Sequence, residues 1–436
     1  MTDHNETIAA ISQPGAYLNS RVISLGGIAY TLREVLLAAP LIAALNVYLV
    51  GGTGEGKTQL NNDLATLFGE HYCYAEGRSD FELAELLKQL NLHKSRSAQT
   101  DKELVELTEN VRKALYCVDE LNRCPPIVQN YFFNFFDGKY LHQGKYYALG
   151  IDNYSVGYAS GNLGDGAYVG IEATDRALKD RMHLIVKLDD PDFGTEAEDD
   201  WEIFGGSKNP RAKMPEKGKD ITANIISLHK EFSQREVPVM LRALGLYFHK
   251  GLDHLDNTKR HSKRAVDQVW PNVKDIRADT DENKVMPFSK RAILATIGLT
   301  EALRMVAESK GVEVKDSVEL YLDALRLTVP YSGVMSPQYV HNEHSGDAYT
   351  AFDTLMTSWR ADITNKKKDV ETAIAYALCG EREETILDRI CPPGTVGRWA
   401  PVRRAIESQA GKPTLEAATL SALKEEYKKP KKAGQP

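Results

Sequence analysis

Eight consecutive residues, Gly51-Gly52-Thr53-Gly54-Glu55-Gly56-Lys57-Thr58, fit the pattern G-x-x-x-x-G-K-[ST] and lie between the apolar run Val47-Tyr48-Leu49-Val50 and a helix-patterned segment. Glycines at these positions let successive backbone N–H groups turn toward phosphate oxygens, and the helix that follows adds its positive end. In such a loop Lys57 reaches the β- and γ-phosphates and Thr58 offers its hydroxyl to Mg²⁺. The chemistry implied is the binding of a nucleoside triphosphate. About sixty residues on, Ala114-Leu115-Tyr116-Cys117-Val118 reads as a buried parallel strand, and Asp119 and Glu120 emerge at its carboxyl end, where open α/β sheets place their ligands. There Asp119 would hold the Mg²⁺ water shell, and Glu120 would orient and deprotonate the attacking water.

These groups need a scaffold. Leu60, Leu64, Leu67 and Phe68 form one apolar stripe and Gly69 closes it, which predicts a helix directly after the glycine loop. Tyr154 to Asn162 has strand character and ends in an amide. Beside Glu120, that amide would donate to the γ-phosphate and help place the lytic water; the other reading of Asn162 is a turn residue before Leu163-Gly164-Asp165-Gly166. Strands and helices alternate to about residue 190, which predicts an α/β core with a mostly parallel sheet flanked by helices. Residues 191–330 read as an α-helical lid with a polar insertion near 256–284. Residues 331–436 read as a helical extension that opens with a loop over 331–346, continues as helices over 349–359 and 370–378, and ends in a basic disordered tail.

Composition narrows the class. With 436 residues and 42% hydrophobic content the chain is large enough for two or three domains. No apolar run reaches the roughly 18 to 20 residues of a membrane span, and the amino-terminal Met1-Thr2-Asp3-His4 lacks the features of a secretory leader. A soluble, cytoplasmic protein is expected. Five cysteines without C-x-x-C spacing argue against a disulfide framework or a structural zinc site. A net charge of −7 argues against a protein that coats nucleic acid, and the basic clusters Lys259-Arg260 with Lys263-Arg264 and Lys424 to Lys432 read as solvated segments. His341 and His344 read as a loop or helix start rather than a metal site.

The run Asp119-Glu120-Leu121-Asn122-Arg123-Cys124-Pro125-Pro126-Ile127-Val128-Gln129 resembles the D-E-I-N-R-A-x-P-x-V-Q motif of MoxR-type AAA+ ATPases. The likeness continues over roughly 22–330. Leu32 to Leu37 and Leu41 to Gly51 resemble the family's first helix and strand, and Phe132 to Phe136 followed by Gly138 to Gly144 resembles its helix and β-hairpin insertion. By this resemblance Asn162 is the sensor-1 residue. Leu178-Lys179-Asp180-Arg181 resembles the L-D-R-F run that carries an arginine finger, with Arg181 the candidate and Arg176 the alternative. Phe288-Ser289-Lys290-Arg291-Ala292 resembles the start of the lid helix, with Arg291 as sensor 2. By the same resemblance Phe81 or Leu83 would lie on a loop facing the ring pore, whereas the apolar pattern of Ser79 to Leu87 alone reads as a buried helix. The resemblance implies ATP and Mg²⁺ as ligands, a homo-oligomeric ring, a hexamer, and remodelling or maturation of a partner protein, commonly together with a von Willebrand factor A domain protein. A nucleic-acid motor, using the hairpin Tyr140 to Tyr147 with Lys145 and His142, and a chelatase-type ATPase subunit are the alternatives.

Overall fold

The computed structural model describes residues 4–80, 86–90, 105–130, 132–162, 176–206, 219–256, 261–274 and 280–412, together with residues 209, 211, 276 and 414. Its strands are β1 (Val22–Leu25), β2 (Ile28–Thr31), β3 (Val47–Val50), β4 (Tyr72–Glu76), β5 (Lys88–Leu90), β6 (Val105–Leu107), β7 (Leu115–Asp119), β8 (Lys139–His142), β9 (Lys145–Ala148), β10 (Val156–Gly161) and β11 (Leu184–Lys187). The chain forms two compact units, residues 1–235 with 295–332 and residues 236–294 with 333–436.

The first unit is built on a five-stranded parallel sheet in the order β11-β3-β10-β7-β4. β3, β7 and β10 are buried at every residue, as strands covered on both faces must be, whereas the edge strand β4 alternates exposed and buried. Helix Phe132–Phe136 seals one face, with Phe135 meeting Tyr116 edge-on at 4.8 Å. Gly157 on β10 is required for this packing, because a Cβ there would lie 2.4 Å from the Phe136 ring.

The helix expected from Leu32 begins with a reciprocal cap: the Thr31 N–H donates to Glu34 Oε2 at 2.9 Å and the Glu34 N–H to Thr31 Oγ1 at 3.2 Å. It is wider than expected over Glu34–Ala38, where it is a π-helix, before Ala39–Ala43 resumes α-geometry. Pro40 has no N–H to donate to Leu36, and the Leu36 carbonyl instead accepts from the Tyr158 hydroxyl of β10 at 2.8 Å. The expected hairpin is β8–β9. It leaves Tyr146 and Tyr147 exposed but buries His142, so His142 is not on the outer surface the nucleic-acid reading assigned it.

In the second unit Phe248, Phe288 and Trp359 form the aromatic centre, with Phe248 and Phe288 stacked at 5.2 Å. Asp281 is anchored there by the Trp359 indole at 2.7 Å and by Arg398 at 3.0 Å. Two details depart from expectation. The segment 331–346 is not all loop, since Ser336 caps a helix Pro337–His344 that starts on a proline, the favoured first-turn residue. The two helices expected over 349–359 and 370–378 are one 31-residue helix, Ala348–Leu378. His341 and His344 lie in the last turn of the former. The charges at Lys259 and Arg260 and the basic tail lie outside the described residues.

Asp63 ties the amino-terminal segment of the first unit to the helix after the glycine loop. Its carboxylate accepts from the Ala16 and Tyr17 N–H groups at 3.1 and 2.9 Å and from Arg33 at 2.9 Å, all in a buried setting. Asp63→Ala leaves Arg33 charged and uncompensated, and the unfolding free energy measured by denaturant titration should fall by about 3–5 kcal/mol.

Candidate functional site

Three adjacent strands, β3, β10 and β7, deliver their carboxyl ends side by side. From β3 the chain turns through Gly51, Gly54 and Gly56, all at positive φ, into helix Lys57–Thr66. At Gly56 the φ of +75° and the Tyr17 ring, 2.6 Å from where a Cβ would stand, both demand glycine. Around Gly54 a Cβ would meet no atom within 4 Å, so this side of the loop is open. The Lys57 ammonium folds onto the loop, donating to the Gly51 and Gly52 carbonyls at 2.9 and 2.6 Å and to Asn162 Oδ1 at 3.3 Å. Burial lowers its pKa, and the carboxylates of Glu120, Asp189, Glu55 and Asp119 oppose that shift.

Asp119 ends β7. One of its carboxylate oxygens accepts from the Thr58 hydroxyl at 3.0 Å and from the Tyr74 hydroxyl at 3.1 Å, and the other is in close contact with the Ser160 hydroxyl. Ser160 Oγ in turn accepts the Glu120 N–H at 3.2 Å. Glu120 itself sits in the left-handed region at φ +53°, ψ +40°, a conformation that surrounding contacts must hold in a residue with a Cβ. Its carboxylate pairs with Arg123 at 3.1 Å. Asn122 then clamps the end of β10, donating to the Asn162 carbonyl and accepting the Asn162 N–H. Lys57, Thr58, Asp119, Glu120 and Asn162, chosen from separate sequence segments, are thus brought to one place.

Thr58 and Asp119 together present a hydroxyl and a carboxylate, the hard oxygen donors that Mg²⁺ prefers, and they flank a glycine loop with an open side. The residues therefore fit Mg²⁺ with a bound nucleotide. When held by Thr58 and Asp119, the ion would offset the negative charge of the phosphates.

The remaining candidates are placed differently. Arg181 follows helix Arg176–Lys179, and its guanidinium pairs with Asp137 at 3.1 Å and donates to the Ala177 carbonyl at 2.9 Å. The backbone of Arg176 is in that helix, while its side chain lies outside the described residues. Arg291 belongs to the second unit, in the first turn of helix Lys290–Ser309, where Ser289 accepts the Ala292 N–H at 3.0 Å. Phe81 and Leu83 lie outside the described residues.

Sequence reasoning missed several contributors. Ser160 and Tyr74 grip Asp119, and Asp189 accepts the Gly52 N–H at 3.1 Å. Asn122 stood inside the quoted acidic motif, and Ser160 lies two residues before the quoted amide, so both were within reach of the pattern. Tyr74 and Asp189 carried no local signal.

A glycine loop holding a buried lysine, a strand-end acid bonded to the loop threonine, and a second acid beside it form the arrangement of a P-loop nucleotide-binding core. Residues 46–182 match the model of the AAA domain, dynein-related subfamily. No curated protein sequence matches the chain. Among solved structures, the crystal structure of a "putative ATPase" from Cytophaga hutchinsonii ATCC 33406 is similar at 14% identity and a TM-score of 0.52, over 75% of this chain and 91% of that one, a likeness of fold. The family match and the shared fold support the resemblance to MoxR-type AAA+ ATPases.

Gly77 follows β4, and its N–H donates to the Asp119 carbonyl at 2.7 Å. A Cβ there would stand 2.2 Å from the Glu120 carbonyl oxygen. Gly77→Ala should therefore displace the Glu120 backbone and cut steady-state ATP turnover by about tenfold or more, the scale on which misplaced catalytic groups act. Nucleotide affinity, read by fluorescent-analogue titration, should stay within about threefold of the parent chain, because Lys57 and the glycine loop are not touched.

Proposed function

We propose that this chain is the ATPase subunit of a MoxR-type ring, a homo-oligomer of six copies, that couples hydrolysis of Mg²⁺-bound ATP to the remodelling or maturation of a partner protein. The observation that carries this reading is the convergence of Lys57, Thr58, Asp119, Glu120 and Asn162 at the ends of three neighbouring strands in an AAA domain. Lys57 holds the phosphates, and Thr58 and Asp119 hold the cation. Glu120 orients the water and takes its proton, while Asn162, bonded to Lys57, contacts the γ-phosphate. Arg181 serves the neighbouring copy's nucleotide, and Arg291 senses the nucleotide of its own chain. The Arg181 pair with Asp137 supports a finger held in a fixed direction rather than one free in solvent, because Asp137 directly follows the sheet-sealing helix. A von Willebrand factor A domain protein is the proposed cooperating partner. No helix among the described residues is long and apolar enough to cross a membrane, which agrees with a role in the cytoplasm.

The exposed Tyr146 and Tyr147, beside Lys145 on the β8–β9 hairpin, favour a second reading as a nucleic-acid motor, since aromatic faces stack on bases and lysine meets phosphate. Binding to single- or double-stranded DNA that weakens steeply with salt and stimulates turnover would put that reading first.

Glu120→Gln should bind ATP with unchanged affinity and lower turnover by about 10²- to 10⁴-fold in a phosphate-release assay. Arg181→Ala should lower turnover by about 10³-fold or more. Mixing Arg181→Ala with Lys57→Ala chains should restore activity, since each supplies what the other lacks across an interface. No rescue would place the finger elsewhere.

A further inference from the structure

We infer that the second unit carries a binding site for a divalent transition-metal ion of the zinc class, with His254, Asp256 and Glu282 as its protein ligands. The argument begins in the local chain. After helix Val239–His249 and the short turn Gly251–Asp253 the backbone becomes extended at His254. Leu255 is fully buried, so in an extended segment His254 and Asp256, on either side of it, turn the other way. Glu282 arrives from later in the chain. Each of the three side chains offers a ligating atom, and those atoms all lie within 4.8 Å of one another. All three line one cavity of about 260 Å³, walled also by Lys263, by Trp399 and by Arg398, whose guanidinium is paired with Asp281 at 3.0 Å.

The neighbouring acids show what satisfied carboxylates look like here. Asp281 is bonded to Trp359 and Arg398, Asp253 accepts from the Ser262 hydroxyl and the Arg264 N–H at 3.0 Å each, and Asp362 accepts from Tyr247 and Trp399. Glu282 differs. Only 6% of it is exposed, its Oε1 accepts the Asp256 N–H at 3.1 Å, and its Oε2 is buried with no hydrogen-bond partner among the described residues. His254 repeats the pattern, with Nε2 against the Asp256 carboxylate and a buried Nδ1 that has no partner among the described residues. Buried polar atoms left in this way are costly and call for an explanation such as an ion. The buried Lys263 lies near but directs its ammonium to the Val285 carbonyl at 2.8 Å, leaving the Glu282 oxygen unclaimed.

One imidazole and two carboxylates form a nitrogen and oxygen donor set without thiolate, which suits zinc and its first-row neighbours better than Mg²⁺. Bonds of about 2.0–2.2 Å would hold the ligand atoms roughly 3.4 Å apart, a closure that side-chain rotation supplies because Asp256 is exposed at the cavity mouth. Three protein ligands leave one position for water. The ion would staple the 254–256 segment to Glu282.

Tag-free full-length protein, stripped with chelator and titrated with Co²⁺ alone, should bind one equivalent per chain with visible ligand-field bands. Zn²⁺ should bleach those bands and raise the melting temperature. Glu282→Gln and Asp256→Asn should each weaken binding at least about tenfold, a loss that even groups bonded to metal ligands produce. Asp256→Asn sits at an exposed position and reports on the site if Glu282→Gln does not fold. Lys57→Ala, altered only in the phosphate loop, should keep the spectrum. Absence of bands up to millimolar Co²⁺, bands that persist in both Asp256→Asn and His254→Gln, or bands lost only in Lys57→Ala would overturn the assignment.

Discussion

The Asp119 carboxylate is the point on which the nucleotide site hangs. It gathers hydroxyls from three separate pieces of chain, Thr58 from the helix after the glycine loop, Tyr74 from β4 and Ser160 from β10. Hydrogen bonds to a charged acceptor are the stronger kind, and a buried carboxylate would be costly without them. The bonds are possible because parallel register sets Glu76 opposite Asp119 and Ala159 opposite Val118, so residues near the ends of β4, β7 and β10 finish at one level. Glu120 inherits its unusual backbone from this arrangement, since Ser160 holds both Asp119 and the Glu120 N–H.

What was legible in the sequence was local. A glycine loop between a strand and a helix has its geometry written in consecutive residues, and a buried strand announces itself as an unbroken apolar run; β3 and β7 both did. The α/β core with a flanked parallel sheet and the helical carboxyl-terminal region followed from the same patterns. Tyr74 could not be read as a site residue, because its role exists only once β4 pairs with β7. Asp189 likewise acts at Gly52 across 137 positions of sequence. The π-turn at Glu34–Ala38 had a visible cause in Pro40, but the tyrosine that accepts the consequence lies on β10. The helix at Pro337–His344 was signalled by Ser336-Pro337 and passed over because the surrounding residues lack an apolar stripe.

The second unit shows a different economy. Two of its acids are hydrogen-bonded by indole, phenol or guanidinium groups, so buried Asp281 and half-buried Asp362 serve as fixed hubs for Trp359, Trp399, Tyr247 and Arg398. This holds the long helix Ala348–Leu378 to the segment around Gly397 through polar bonds inside an otherwise aromatic core. Arg398 reaches both carboxylates, at 3.0 Å from Asp281 and 3.8 Å from Asp362, so the two hubs form one connected network.

Charge balance bears on how the proposed ATPase would take its substrate. Lys57 is a buried cation on which the charges of Glu120, Asp189, Glu55 and Asp119 act, with Arg123 beside Glu120 and Lys187 beside Asp189. A bare triphosphate approaching this loop would meet more negative than positive charge, and the backbone N–H groups and helix end offset only part of it. A nucleotide that arrives with its divalent cation brings the missing charge, and Thr58 and Asp119 already stand together where that cation's oxygens are wanted. In this reading, the acids around Lys57 do more than supply a base. They make occupancy of the phosphate loop depend on the metal, so that the groups needed for hydrolysis are assembled only when the hydrolysable form is bound.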